Sequence, residues 1–129
     1  MAAELQLALA YELTAQNAPR FAADIVAQAS SQGLELDYSR ATCEYLDSVI
    51  ASLRAGGVTV EQVPEVLFGF GCVLGEILIE ATGASWVHAE FAVPIGVRLP
   101  DARLLDPVGQ TFTALLTGSS LATFVSSVA

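Results

Sequence analysis

Between Val66 and Ile79 the sequence runs almost without a polar side chain, broken by glycines and by one carboxylate, Glu76. Such a run either crosses a membrane or is wrapped in protein. It is shorter than the roughly 18–20 residues that a spanning helix needs, so it predicts a buried core helix over about 64–82. Wound at 3.6 residues per turn, Leu67, Phe70, Leu74 and Ile77 fall on one side, with Phe68, Gly71, Gly75 and Ile79 beside them. Glu65, Gly69, Cys72, Glu76 and Glu80 share a third stripe. Apolar cover on most sides marks a central helix. Each interior glycine costs about 1 kcal/mol against alanine. Gly71 and Gly75, four apart, are therefore expected to form a groove that another backbone or a ring approaches closely.

The rest of the chain reads as elements arranged around that helix. Leu5, Leu9 and Leu13 predict an amphipathic helix over 3–16. Phe21, Ile25 and Ala29 predict a second, closed by Gly33 at the position after its end. Asp37 or Ser39 caps a third, in which Leu46, Val49, Ile50 and Leu53 form the buried face and Gly56-Gly57 the stop. Thr59 and Gln62 have capping-box spacing. Pro64 interrupts that start, so a short turn at 60–63 and a fresh helix near Pro64 are expected. Ser85 to Phe91, and Ile95, Val97 and Leu99, read as two antiparallel strands around a turn near Pro94. Asp106-Pro107 starts a further helix and Gly118 stops it. Ser119 or Ser120 caps the last, which carries Leu121, Phe124, Val125 and Val128. The expected fold is α+β and mainly helical, with about five or six helices. One antiparallel β-hairpin packs on the central helix, and 129 residues make a single domain over 1–129.

Composition narrows the function. The chain holds 14 acidic residues against five arginines and no lysine, for a net charge of −9. That charge repels phosphate backbones, and the arginines are scattered, so no nucleic acid and no membrane surface is expected as a partner. The first ten residues lack the basic segment of a signal peptide. Two cysteines, Cys43 and Cys72, both inside expected helices, read as buried free thiols of a reducing compartment, which points to the cytoplasm. Hydrophobic residues make up 53% and charged ones only 15%, against about 25% on average. Apolar surface is therefore expected to remain once one core is built, and to be covered by another copy or another protein.

Motifs for phosphate loops, dinucleotides, zinc and serine nucleophiles are absent, and no cofactor is expected. Four carboxylates remain as chemistry to test. Glu44 and Asp47 lie three apart on one helix, and Glu76 and Glu80 four apart on another. If they converge, they suit Mg²⁺ or Mn²⁺, as in a metal-dependent hydrolase. If not, they are solvated helix faces. Glu76, in the most apolar helix, is expected to be buried and paired with Arg40 or Arg98. Trp86 and the single histidine, His88, join Glu76 as candidates for a small-ligand site, against the plainer readings of a core anchor and a strand histidine.

The set Leu36-Asp37-Tyr38-Ser39, Leu46-Asp47, Gly71, Leu74-Gly75-Glu76, Gly83 with Trp86, Asp106-Pro107-Val108-Gly109 and Gly118 resembles a group of uncharacterised small bacterial domains. These share a central G-x-x-x-G-E helix followed by G-x-x-W. The resemblance covers about residues 34–128. It implies kinship of fold and a bacterial source, and it brings no catalytic activity with it. A non-enzymatic interaction module or homo-oligomer is the favoured expectation. The metal-dependent hydrolase and the small-ligand-binding domain stand as alternatives.

Overall fold

The structure, a computed structural model, describes residues 9–129. Thr14 accepts a hydrogen bond from the Asn17 N–H and opens a 3-10 turn, Ala15–Asn17. This turn leads into α1, Ala18–Ser31, with Pro19 in the first turn, where no donor is missed. Gly33, at φ +85°, closes α1 in the expected place, and the Gly33 and Leu34 N–H groups return to the carbonyls of Ser30 and Ala29. The Asp37 carboxylate accepts from the Ser39 N–H and the Thr42 hydroxyl, fixing the entry to α2, Arg40–Ala55. Those bonds hold the Asp37 carboxyl below its ordinary pKa, the Ser39 hydroxyl contributing most. Thr59 donates its N–H to Gln62 Oε1 at 2.8 Å, and the chain turns there without forming a helix. Helix α3, Pro64–Thr82, starts and stops where the sequence predicts, with Gly83 left-handed at its end.

Strands β1, Ser85–His88, and β2, Ile95–Arg98, pair antiparallel, with Trp86 opposite Val97 and His88 opposite Ile95. A third strand, β3, Leu104–Leu105, pairs antiparallel with β2 and was not expected. Two residues are too short to show any alternation. Helices α4, Pro107–Thr117, and α5, Leu121–Val128, follow; the Asp106 carboxylate accepts from the Gly109 N–H at 2.9 Å at the start of α4. The fold is α+β and mainly helical, as the sequence predicts, with a three-stranded sheet in place of a lone hairpin.

The expected helix over 3–16 needs correction. Residues 1–8 lie outside the described residues. Residues 9–14 are not helical, and Leu9, Tyr11 and Leu13 are half-buried while Ala10 and Glu12 are exposed. That alternation is the period of an extended chain lying on a core. Tyr11 sits edge-on to Phe21 at 5.1 Å, and Phe21 to Phe68 at 4.9 Å, which ties the segment and α1 to α3.

Helix α3 forms the centre, with Leu67, Phe68, Cys72, Val73, Leu74, Ile77 and Leu78 all buried. Its glycines set how near the neighbours come. A Cβ at Gly71 would stand 2.5 Å from Val108 Cα, and one at Gly75 would stand 2.1 Å from Trp86 Cη2. The groove expected of these two residues thus receives a backbone, that of α4, and a ring. Thr111, fully buried on α4, brings its hydroxyl 2.7 Å from the Leu67 carbonyl across the same seam. A Cβ at Gly69 would instead meet the tip of Ile25, 2.6 Å away. Helix α2 packs chiefly on α5 and α4, and it scarcely touches α1.

These contacts order three substitutions. Alanine gains about 1 kcal/mol of helix propensity, while overpacking a full core costs about 1–3 kcal/mol or more. Gly71→Ala is expected to be destabilising by about 2 kcal/mol, because backbone cannot move aside. Gly75→Ala should also destabilise, by displacing the indole. Gly69→Ala should be near neutral, because the Ile25 tip rotates away. Urea unfolding of the three variants checks the order, and a Gly71→Ala protein as stable as the parent would overturn the account of this seam.

Candidate functional site

The four carboxylates proposed as metal ligands go to different places. Glu44 and Glu80 are exposed. Asp47 is half-buried on α2 and turned to the start of α5. Its two oxygens accept from the Leu121 N–H at 2.7 Å, the Ala122 N–H at 3.1 Å and the Ser120 hydroxyl at 2.9 Å. Ser120 Oγ accepts from the Thr123 N–H, and the Phe124 N–H donates to the Ser120 carbonyl. The free donors of Leu121, Ala122 and Thr123 at the head of α5 are therefore satisfied by side chains, and Phe124 makes the first intrahelical bond. Two turns further along α2, Arg54 donates from Nε to the Leu115 carbonyl at 3.1 Å, at the end of α4. One face of α2 thus sets a cation against a helix C-terminus and an anion against a helix N-terminus, each matching the local dipole. Among the described residues, no group of three or more His, Cys, Asp or Glu side chains converges as a metal site.

Glu76, Trp86 and His88 are placed apart from these. Glu76 is half-buried and unpaired with arginine, contrary to expectation. Arg40 donates to Ser126 instead, and Arg98 ends β2 exposed. The arginine pairing fails because β2 carries Arg98 on the side away from Val97, whereas Trp86, opposite Val97, lies over α3. Burial pushes the Glu76 carboxyl above its ordinary value; the nearby Trp86 indole N–H draws it part-way back, and Glu80 adds to the rise. The Trp86 Nε1 atom is itself buried and has no partner within hydrogen-bond geometry among the described residues, so its pull on Glu76 acts across a looser approach. Tyr38 feels the same carboxylate: its hydroxyl is pushed up first by burial, then by Glu76. His88 is exposed at the end of β1. Trp86 is a half-buried member of the core margin, pinned on Gly75.

Both cysteines are free and buried. Burial pushes the Cys43 thiol up to about 12 and raises Cys72 as well, so neither is a ready thiolate near neutral pH.

A surface feature that sequence reasoning missed lies between α1 and α2, over the first turns of α3. Ile25, Leu36, Tyr45, Val66 and Phe70 line a groove of about 180 Å³ there, and Gln28 and Gln32 stand among its lining. Tyr45 and Val66 are 37% and 39% exposed; of the large apolar side chains described, Leu104 and Leu116, outside the groove, are more exposed at 42% and 65%. No charged residue lines the groove, although the chain carries a charge of −9. One signal was legible: Tyr45 is an aromatic that falls outside the Leu46, Val49, Ile50 and Leu53 stripe.

No family model matches the chain, and neither a curated protein nor a solved structure matches it.

Two predictions follow from the carboxylates. Asp47→Ala is expected to cost about 1–2 kcal/mol, the scale of a lost helix cap, and to speed amide exchange in α5. Glu44→Ala, exposed on the same helix, should stay within about 0.5 kcal/mol of the parent. Equal effects in the two would remove the capping role. For Glu76, the folded protein holds the proton more tightly than the unfolded chain does. Stability from this group is therefore full below the ordinary value of 4.5 and is lost as pH rises through the raised folded value. Glu76→Gln keeps the shape and drops the charge. It should melt above the parent at pH 7 by less than about 1 kcal/mol, because water screens a half-exposed group. The difference should vanish in acid below the ordinary glutamate range. A variant that melts lower than the parent at neutral pH would contradict the desolvation argument.

Proposed function

We propose that this chain is a non-enzymatic protein-interaction module of the cytoplasm, which binds a segment of another protein in the groove between α1 and α2. The observation that carries the reading is the uncharged lining of that groove, with Tyr45 and Val66 partly open to water on an otherwise acidic protein. Exposed apolar surface set in a polar surround is the mark of a contact site. At about 180 Å³ the groove is smaller than the roughly 300–1,000 Å³ of small-molecule sites, so it suits a protein side chain; the larger hollows of about 420 Å³ beside Asp47 and Arg54 and about 400 Å³ beside Arg54 and Glu61 have charged linings. A second copy is the weaker occupant, because it brings the same charge of −9 against this one. Kinship with the bacterial group that shares the G-x-x-x-G-E helix belongs to the same proposal.

A photoreactive phenylalanine analogue at position 45 tests the reading in extract from the native cell. The expected result is a cross-link to one defined protein, lost when Val66→Gln fills the groove with a neutral polar side chain. Cross-linking that is unaffected by Val66→Gln, or that yields only a second copy of this chain, would overturn it.

A further inference from the structure

The chemistry of the partner is open to argument from the charges around the groove. Four of the five arginines, all exposed, have a partner within the chain. Arg20 lies over the Tyr11 ring at 4.8 Å, Arg40 donates to Ser126, Arg54 caps α4, and Arg103 pairs with Asp101 at 2.8 Å. None of the five lines the groove. The chain has no lysine and 14 acidic residues, and Asp24, Glu35 and Glu44, all exposed, each stand next in sequence to a residue of the lining, Ile25, Leu36 and Tyr45. A field of that sign speeds the approach of basic segments and opposes acidic ones.

The slot itself fixes what is inserted. At about 180 Å³ it is close to the ~150 Å³ that accommodates a benzene ring, so it takes one aromatic or branched aliphatic side chain. The polar side chains among its lining residues are those of Gln28, Gln32 and Tyr45, all uncharged. Residues of α1, α2 and the start of α3 line a trough. A helical segment lies along such a trough and inserts apolar anchors from one face.

Resting on the groove reading above, we infer that the partner segment is a basic amphipathic helix. It seats one bulky apolar side chain against Val66, Tyr45 and Phe70, with lysine or arginine flanking that anchor. The groove supplies the hold, and the net negative charge supplies the preference for basic flanks.

Selection from a displayed library of randomised helical peptides against the whole chain tests both parts. The enriched sequences are expected to share a bulky apolar position flanked by Lys or Arg, and to bind more weakly as salt rises from ~0.05 to ~0.5 M. Val66→Gln should weaken them by about tenfold or more, as loss of a central contact does. Val66 is partly exposed in the first turn of α3, and glutamine is a good helix former, so the variant keeps its fold; its melting temperature checks this. Gln28→Glu, exposed at the groove's rim, should tighten the basic peptides. Enriched peptides with neutral or acidic flanks that Val66→Gln still abolishes would overturn the basic partner and leave the groove standing. Peptides indifferent to Val66→Gln, or no enrichment at all, would overturn both.

Discussion

The distance between α3 and its neighbours governs this fold. Val108 Cα and the Trp86 ring occupy the space that side chains at 71 and 75 would need. Two missing methyl groups let α4 and the hairpin settle onto the central helix, and Thr111 then reaches the Leu67 carbonyl across the seam. Dispersion falls steeply with separation, so this approach decides how well the core of Leu67, Leu74, Ile77, Val97 and Val108 is packed. It also fixes where Trp86 lies, and through it the surroundings of Glu76.

Electrostatics does a second, more local job. Helix α2 makes little contact with α3 and is held mainly against α4 and α5. Asp47 and Arg54, seven residues apart and so two turns along one face, grip the two helix ends that meet near Gly118 to Ser120. A chain with few charges thus places an anion and a cation where backbone groups would otherwise be unsatisfied. Tyr45, on the same helix, lines the groove over Val66 and Phe70 together with Ile25 and Gln28 of α1.

Much of this was legible locally. The bounds of α3, the stops at Gly33, Gly57, Gly83 and Gly118, and the starts at Pro64 and Pro107 rest on backbone chemistry that a residue carries with it. Even the misread N-terminal segment had its signal: Leu9, Tyr11 and Leu13 fit a period of two as well as Leu9 and Leu13 fit a helix. The side chains showed which period won, because Tyr11 reaches Phe21 from an extended chain. The candidate site was less legible. Asp47 looked like half of a metal pair, yet its partners lie 73 to 75 residues away. Glu76 looked buried enough to need an arginine, yet α3 leaves that edge half open and sets an indole beside it.

By itself, the sequence determined which segments after Asn17 are helical, that α3 is central, that Gly71 and Gly75 admit a close neighbour, and that the chain is acidic. These follow from properties of single residues and of residues within a few turns: rotamer freedom, left-handed glycine, proline's missing donor, and charge. Only the tertiary structure decided which backbone and which ring fill the glycine seam, where each carboxylate spends its oxygens, and that Ile25, Leu36, Tyr45, Val66 and Phe70 share one groove. Those residues come from three helices and a connection. Their meeting depends on the angles at which helices pack, which no periodicity along one segment encodes.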